Sequence, residues 1–319
     1  MTPATVVLPV SIVVPVRNES RALPELLEAI ANQNAKPWEV VFVDTGSLDN
    51  SASLVEGWVE VAARCGIKCQ LLRLPDGYPG AARNAGVRAA TQEWIAFIDA
   101  GIVPSGNWLS ALWACKQKSG KPAIYGVCRF VSEEVLGKIL CALSYGYDRV
   151  RPVLPASLFR RDLFDRVAFF EPGLRAGEDI LWKRALEAAG ISAETCWDAQ
   201  VEYRYFPDTL QHAARKWFTY EQSVTAAGVG GSLRVAVQFA VLFLCAWLIV
   251  DPATAVFGLA AYALLRGLAD PLRRSGWRPW WGTRFWAVLA AVPVAALIDV
   301  SAAAGRVTCI LRGGRLGNS

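Results

Sequence analysis

Short apolar runs alternate with amphipathic stretches over residues 11–118, and this pattern constrains the fold most. The apolar runs are rich in β-branched residues without polar alternation, which predicts strands covered on both faces of a sheet. The predicted strands are Ser11–Val16, Glu39–Val43, Cys69–Leu74 and Trp94–Ile98, and the predicted helices are Ala22–Asn34, Ser51–Arg64, Gly80–Ala90 and Asn107–Lys118. This order is typical of an α/β, Rossmann-like sheet with right-handed crossovers.

Polar side chains follow the predicted strands at the edge where such sheets bind ligands. Asp44 follows the second strand, and it can accept hydrogen bonds from the N–H groups of a nucleotide base. The alternative is a turn or helix cap formed by Asp44, although Asp49 or Ser51 suits the cap of the next helix better. Arg17 and Glu19, after the first strand, either line the same pocket or pair with each other.

Two further loops complete this edge. Arg83 and Asn84, near the start of a predicted helix, can reach a base or a phosphate, and the alternative for Arg83 is a plain surface position. Asp99 ends the fourth strand and suits a contact with ribose or with a Mg²⁺ or Mn²⁺ ion. Gly101 stands where an Asp-x-Asp metal site would place its second carboxylate, so dependence on the metal is in doubt.

Gly177, Glu178 and Asp179 open another predicted helix. Acids there can simply complement the positive end of the helix dipole. Beside a nucleotide-sugar site, however, Asp179 or Glu178 is suited to serve as general base for an acceptor hydroxyl. Direct displacement at the anomeric carbon would then invert its configuration.

Taken together, these segments resemble a family 2 glycosyltransferase with the GT-A fold over about residues 11–220. The motifs that carry the resemblance are Val14-Pro15-Val16-Arg17-Asn18-Glu19, Val43-Asp44-Thr45-Gly46-Ser47-x-Asp49, Ala82-Arg83-Asn84-Ala85-Gly86, Phe97-Ile98-Asp99-Ala100-Gly101 and Gly177-Glu178-Asp179. The resemblance implies nucleotide contacts by Asp44 and the Pro15–Glu19 loop. It also implies diphosphate and metal binding around Asp99, with Asp179 as the base.

Polymer-forming members of the family carry Gln-x-x-Arg-Trp, whereas this chain has Gln211 and Trp217 at a different spacing. This departure favours the transfer of a single sugar. Arg215 and Lys216, between those two residues, are candidates for binding a diphosphate or a lipid headgroup, and a basic helix lying on a membrane surface is an equal alternative.

Residues 231–319 are mostly apolar, and a membrane span needs about 20 apolar residues. Val235–Val250 and Ala253–Leu265 predict either a hairpin of short spans turning at Asp251 or one kinked helix, and Phe285–Ala304 is a further candidate. The alternative for this region is a buried helical domain of a soluble protein. We therefore expect a GT-A domain over residues 1–230, followed by a membrane region with two or three helices.

Arginines cluster late in the chain, and those between the second and third candidate spans favour a cytoplasmic loop on the side of the catalytic domain. The clustered arginines are Arg266, Arg273, Arg274, Arg278, Arg284, Arg306, Arg312 and Arg315. If the last candidate crosses the membrane once, the tail arginines end outside, against the same charge rule. A re-entrant helix would resolve that conflict.

Composition excludes several other classes of site. The single histidine, His212, excludes a histidine-based metal centre or triad, and the eight scattered cysteines form no zinc pattern. We expect these thiols to be mostly buried and reduced, as in the cytosol. No secretory signal is predicted, since the apolar run Val6–Val16 is broken by prolines.

The sequence thus predicts a membrane-anchored enzyme with a cytoplasmic active site. Its predicted ligands are a nucleotide-diphosphate sugar, a lipid-linked or saccharide acceptor, membrane lipid and a divalent cation (Mg²⁺ or Mn²⁺), and no nucleic acid is expected. A non-catalytic scaffold that keeps the nucleotide fold is the main rival, suggested by Gly101. A dehydrogenase is weaker, because no Gly-x-Gly-x-x-Gly follows the first strand.

Overall fold

The computed structural model describes residues 6–229 and 231–314, without the side chains of residues 232–234. The chain forms two compact units. The N-terminal unit comprises the described parts of Met1–Arg129, Val150–Leu174 and Glu178–Tyr203, and the C-terminal unit those of Phe130–Arg149, Arg175–Gly177 and Arg204–Ser319. The expected boundary at residue 230, between a catalytic domain and a membrane region, stays a prediction.

The strands are β1 Val6–Val16, β2 Ala35–Asp44, β3 Lys68–Arg73, β4 Trp94–Phe97, β5 Ile102–Pro104, β6 Ala123–Phe130, β7 Arg149–Arg160 and β8 Ala193–Tyr203. They form one sheet in the order β3-β2-β1-β4-β7-β6-β8-β5. Strands β1 to β4 pair in parallel, whereas β7 runs antiparallel to β4 and β5 antiparallel to β8. The parallel half carries the candidate site.

The helices are α1 Leu23–Ala31, α2 Ser51–Arg64, α3 Pro79–Ala89, α4 Trp108–Ser119, α5 Val135–Ser144, α6 Asp162–Arg166, α7 Glu178–Ala188, α8 Leu210–Ala226, α9 Ser232–Val250, α10 Pro252–Tyr262, α11 Asp270–Arg274 and α12 Ala287–Leu311. A π-helical segment, Ala263–Ala269, joins α10 to α11. The predicted strands and helices of residues 11–118 all occur, with ends shifted by a few residues. The α/β class is therefore confirmed.

One expectation about the sheet is wrong. Strand β3 was expected to be covered on both faces, yet its residues are half-buried or exposed. The reason is its place at the edge of the sheet, where it pairs only with β2. Its apolar run reflects the sheet partner on one side rather than full burial.

An aromatic cluster in the N-terminal unit fixes α7. Trp182 on this helix packs against Phe159, Phe164 and Phe170 at ring-centroid distances of 4.8, 5.0 and 4.9 Å. The indole of Trp182 also donates a 2.7 Å hydrogen bond to the carbonyl of Ala168. Aromatic pairs of this kind stabilise by about 0.5–1.5 kcal/mol each beyond their buried area. The start of α7 is consequently held in place.

In the C-terminal unit, α9 and α10 pack side by side as a hairpin that turns at Asp251. Trp247 donates a 2.9 Å hydrogen bond to Thr254, and a Cβ at Gly258 would collide with Leu244. The Asp251 side chain caps α10 by accepting from the N–H of Thr254 at 3.3 Å. Of the two arrangements that the sequence allowed, the helices adopt the hairpin.

Two helical stretches of the described chain are long and apolar enough to cross a membrane. They are Pro252–Arg274 and Ala287–Leu311, with mean hydropathies of 1.3 and 2.1. The second contains the expected candidate Phe285–Ala304 almost entirely. The predicted order, an α/β domain followed by apolar helices long enough to span a membrane, is confirmed.

The arginines of this region need a correction. Arg266, Arg273 and Arg274 were expected in a loop, but they lie in helical segments, and Arg306 lies inside α12 rather than in a tail. Buried carboxylates explain this, since Arg266 pairs with Asp299 at 2.8 Å and Arg306 pairs with Glu221. Of the other clustered arginines, Arg278 and Arg284 lie between α11 and α12, Arg312 follows α12, and Arg315 lies outside the described residues.

Candidate active site at the carboxyl edge of the sheet

The loops that follow β1 and β2 are tied together by hydrogen bonds. The N–H of Asn18 donates to the Ser47 hydroxyl at 3.0 Å, and the N–H of Leu48 donates to the Asn18 side chain at 2.7 Å. Asn18 adopts a φ of +55°, in the left-handed region that asparagine tolerates better than most residues. The N–H of Ser20 also donates to Asp49 at 3.0 Å. The edge is thus pre-formed here.

Asp44 is buried at the end of β2 and forms the turn that the sequence offered as its alternative role. Its carboxylate accepts from the N–H of Ser47 at 3.2 Å and from the Ser47 hydroxyl. Asp49 instead accepts from the N–H of Ser51 at 3.0 Å, in the first turn of α2. Burial alone would raise the pKa of Asp49, but hydrogen bonds from Ser51 and Ser20 lower it to about 2. The nucleotide contact of Asp44 stays a prediction.

Arg17 connects the first loop to the third. Its guanidinium forms a 2.7 Å ion pair with Asp76 and donates to the carbonyl of Gly77 at 3.1 Å. The Arg17 guanidinium thus reaches across to residues 76 and 77, and the expectation that Arg17 and Glu19 line a ligand pocket stays a prediction. Three strand-end loops therefore form one connected rim.

Arg83 is the centre of the site. Its side chain is 3% exposed, and its terminal nitrogens lie 2.7 Å from Asp99 and 2.6 Å from Glu178. The surface position considered for Arg83 is therefore wrong. Through this one guanidinium, the end of β4 and the start of α7 meet although they are 79 residues apart in sequence.

Burial sets the electrostatics of this cluster. It raises the pKa of Glu178 above its usual value, an effect that outweighs the nearby charge of Arg83. Burial also opposes the charge of Arg83, but the carboxylates of Asp99, Glu178 and Asp179 raise its pKa above the ordinary value. Nε of Arg83 and Oε2 of Glu178 are buried and have no hydrogen-bond partner. The guanidinium of Arg83 therefore stays charged. The group whose charged form is disfavoured by burial is Glu178.

Asn84 positions the loop that leads to α7. Its side-chain amide donates to the carbonyl of Phe170 at 2.8 Å and accepts from the N–H of the same residue at 2.9 Å. Asn84 is buried, and a contact of its side chain with a base or a phosphate stays a prediction. Its role in the structure is to fix one loop against α3.

The two acids at the start of α7 have different environments. Glu178 is buried against Arg83, whereas Asp179 is half-buried and accepts from the N–H of Ile180 at 2.8 Å. A group that takes a proton from a substrate must be reachable by that substrate. Asp179 meets this condition better than Glu178.

Asp44 and Asp99 lie along one edge of the sheet, with β1 between their strands. Neighbouring strands are about 4.8 Å apart, so the two strand ends are separated by about 10 Å. That span is suited to a ligand with a base at one end and a phosphate group at the other.

Glu19 lies next to the glycine that replaces the second acid. A Cβ at Gly101 would lie 3.6 Å from Oε2 of Glu19. A second carboxylate thus comes to the neighbourhood of Asp99 from a different loop, which the spacing of an Asp-x-Asp motif does not indicate. The chain that the structure describes holds no group of three or more His, Cys, Asp or Glu arranged around a metal position.

Arg215 and Lys216 belong to α8 in the C-terminal unit. Arg215 is exposed, and the ammonium of Lys216 lies over the rings of Trp217 and Phe206 at 5.7 and 5.9 Å. Their proposed binding to a diphosphate or a lipid headgroup stays a prediction.

The sheet and the polar cluster at its carboxyl edge belong to a chain that matches a known protein family. The family model described as "Glycosyl transferase family 2" matches residues 11–175, about half of the chain. The chain belongs to this family, and the predicted family and enzyme class are confirmed.

Solved structures support the fold. The mannosyltransferase PcManGT from Pyrobaculum calidifontis, in complex with GDP-Man and Mn²⁺, has a TM-score of 0.54 at 20% identity and covers 92% of this chain and 87% of that one. S. aureus TarS residues 1–349, in complex with UDP-GlcNAc, has a TM-score of 0.51 at 15% identity and covers 96% and 92%. At these identities the similarity establishes the fold alone.

Curated relatives match over shorter stretches. The pre-mycofactocin glycosyltransferase of Mycobacterium tuberculosis is 28% identical over 220 residues, covering 63% of this chain and 42% of that protein. An undecaprenyl-phosphate 4-deoxy-4-formamido-L-arabinose transferase of Serratia proteamaculans is 43% identical over 67 residues, covering 20% and 21%. The chain thus spans less than half of the length of these relatives.

Proposed function

We propose that the protein transfers one sugar from a nucleotide-diphosphate sugar to an acceptor hydroxyl, with Asp179 as general base and inversion at the anomeric carbon. The observation that carries this proposal is the buried Arg83, which joins Asp99 to Glu178 and so places Asp179 beside the carboxyl edge of the sheet. Nucleotide sugars bound to the GT-A structures of TarS and PcManGT support this class of donor.

In this mechanism, Asp179 accepts the proton of the acceptor hydroxyl while that oxygen attacks the anomeric carbon. The bond from this carbon to the diphosphate oxygen breaks, and its electron pair leaves with the nucleoside diphosphate. The N-terminus of α7 favours a negative charge at Asp179. Glu178, buried one residue earlier, holds the helix start through Arg83 and takes no part in proton transfer.

The donor lies along the three joined loops. Asp44 accepts from the base, and Pro15, Arg17 and Glu19 line the pocket beside it. Asp99 contacts the ribose or the diphosphate end. Since the guanidinium of Arg83 is occupied by two carboxylates, we assign it to positioning Asp99 rather than to direct binding of the donor.

A divalent cation is a further part of the proposal, supported by the Mn²⁺ in the PcManGT structure. Asp99 and Glu19 would hold it, because Glu19 supplies a carboxylate near the position that Gly101 leaves without one. When bound, such a cation neutralises charge on the leaving diphosphate.

We place the acceptor at a membrane, as a lipid-linked or saccharide hydroxyl, and the catalytic domain in the cytoplasm. Two apolar helices long enough to span a bilayer support membrane attachment. The name of the Serratia relative, which acts on undecaprenyl phosphate, supports a lipid acceptor. An active site beside a bilayer would act most readily on acceptors held there.

The test is sugar transfer by the purified full chain, with and without EDTA. Asp179→Asn should lower the turnover number by about 10²- to 10⁴-fold, the usual contribution of a general base, while donor affinity stays near wild type. The control is Asp165→Asn, on an exposed position of α6. Near-normal turnover of Asp179→Asn would remove Asp179 from this role. Transfer that is insensitive to EDTA would contradict a role for the cation. A wild-type protein that binds the donor without transferring its sugar would favour a non-catalytic scaffold.

A further inference from the structure

The C-terminal unit encloses a cavity of about 1030 Å³ that the proposed reaction does not use. Ligand pockets for small molecules measure about 300–1,000 Å³, so this one is at the upper end of that range. Much of its wall is apolar and comes from the α9–α10 hairpin. The hairpin residues that line it include Val237, Ala240, Leu244, Gly258 and Ala261.

Charged side chains line the same cavity. Among the residues that the structure describes there, the cations are Lys216, Arg266, Arg273 and Arg274, and the carboxylates are Asp270 and Asp299. The lining therefore carries two more positive than negative charges. An apolar wall joined to a net positive region suits an amphiphile with an anionic headgroup.

The ion pairs show how these arginines are arranged. Arg266 is 10% exposed and bonds to both oxygens of Asp299 at 2.8 Å. Asp270 accepts from Arg266 at 2.9 Å and from Arg273 and Arg274 at 2.7 Å. The three guanidinium groups share two carboxylates, Asp270 and Asp299, which leaves one positive charge in excess for a bound anion.

The backbone supplies an independent sign of a binding site. Arg266 and two other lining residues, Leu265 and Ala269, lie in the π-helical segment Ala263–Ala269. Such segments cost regular hydrogen bonding and occur frequently at functional sites. Buried ionisable groups in an apolar helical unit are also costly, and they commonly mark function.

We propose that this cavity binds a lipid with a phosphomonoester headgroup. A phosphomonoester carries about 1.5 to 2 negative charges at pH 7, so a cavity lining with a net positive charge attracts it. The planar guanidinium matches phosphate oxygens with paired hydrogen bonds. The α9–α10 wall then holds the hydrocarbon chain. This inference rests on the proposed function, because a lipid phosphate belongs to the class of lipid acceptor proposed above. The binding is measured without any sugar donor, so its failure is distinguishable from a failure of the transfer reaction.

The test uses the full chain in nanodiscs of phosphatidylcholine and phosphatidic acid mixed nine to one. Native mass spectrometry of the released protein counts the lipids retained. We expect phosphatidic acid to be retained well above its share of the bilayer. Arg273→Gln should reduce this retention about fivefold, the effect of one cation near an anionic headgroup. Ala261→Phe, which fills the cavity from an exposed position, should abolish it.

The matched control is Arg284→Gln, which removes an exposed arginine of the same unit outside the cavity lining and should leave retention unchanged. Equal retention by Arg273→Gln and wild type would overturn the proposal. So would retention of phosphatidylcholine in proportion to its share, or displacement of phosphatidic acid by an equal concentration of inorganic phosphate. Melting temperatures near wild type show that the variants are folded.

Discussion

At the scale of single residues, Arg83 decides where the acids of the site lie. Its guanidinium is buried and paired on two sides, with Asp99 half-open to solvent and Glu178 enclosed. A buried ion pair is weak evidence for stability as such, since desolvation cancels much of its attraction. Its value here is geometric, because it fixes a strand end against a helix start.

Removing this guanidinium should lower the stability of the folded protein. Arg83→Met leaves Glu178 buried without its partner, and we expect a loss of about 3–5 kcal/mol in the free energy of unfolding. The control is Arg73→Met, which breaks an exposed pair with Glu56 and should cost at most about 1 kcal/mol. Denaturant titration of the two variants measures both values. Similar small losses would mean that Arg83 does not fix the site.

The raised pKa of Glu178 predicts a dependence of stability on pH. Between the unfolded value, 4.5, and the higher folded value, the native state binds more protons than the unfolded state, so the contribution of Glu178 to stability falls as pH rises through this window. Glu178→Gln mimics the protonated form. The melting temperature of this variant should therefore rise relative to that of wild type as the pH increases above 4.5.

The control for this series is Glu187→Gln, which removes a solvated charge from the exposed side of the same helix. Thermal unfolding at several pH values measures the difference between each variant and wild type. A Glu178→Gln difference that is constant with pH would contradict burial as the cause of the raised pKa.

At the scale of elements, α3 holds the loop that delivers α7. Asn84 exchanges two hydrogen bonds with Phe170, and Gly80 approaches so closely that a Cβ would collide with the carbonyl oxygen of Glu171. A side chain at Gly80 would push this loop, and with it the carboxylate of Asp179, away from the sheet. Gly80 lies in a helix, where any residue can adopt the backbone conformation. The glycine is therefore required by the close packing and not by its backbone dihedral angles.

Gly80→Ala should therefore destabilise the protein by about 1–3 kcal/mol, as expected for overpacking, and reduce sugar transfer. The matched control is Gly57→Ala in α2, where a Cβ meets nothing within 4 Å. This control should stabilise by about 0.5–1 kcal/mol, because alanine is the better helix former. Denaturant titration and a transfer assay report both effects. Equal behaviour of the two variants would show that the close approach at Gly80 has no consequence.

Elements differ in how far the sequence predicts them. The parallel strands and the first four helices follow from uniform apolar runs and helical periodicity in local sequence. Strands β5, β6, β7 and β8 were not predicted. They extend the sheet through pairings outside this β-loop-α repeat, such as the antiparallel pairing of β7 with β4. No repeating pattern in the local sequence indicates which strands pair in this way.

At the scale of the whole molecule, the C-terminal unit joins apolar helices through buried ion pairs. Arg266 with Asp299 and Arg306 with Glu221 keep charges inside helices that are otherwise apolar. Such pairing permits ionisable residues within helices that are candidates for membrane spans. Burial of these charges inside the unit leaves its outer surface apolar at many positions.

We expect the full chain to behave as an integral membrane protein. After cell lysis it should sediment with membranes, resist extraction by high salt and alkaline carbonate, and dissolve only with detergent, because its apolar helices need a hydrocarbon environment. A peripheral membrane protein processed in parallel serves as the control. Recovery of the chain in the soluble fraction would contradict membrane attachment and favour a buried helical domain.

The sequence by itself determined the parallel half of the sheet, the family and the acids at the strand ends, because local periodicity and short motifs encode these features directly. Only the tertiary structure decided that Arg83 bridges Asp99 and Glu178, that Asn84 clamps a loop, and that Glu19 lies beside Gly101. The physical reason is distance along the chain. A buried charge needs a partner of opposite charge, but the local sequence around Arg83 does not indicate which of the many acids the fold brings within 3 Å of it.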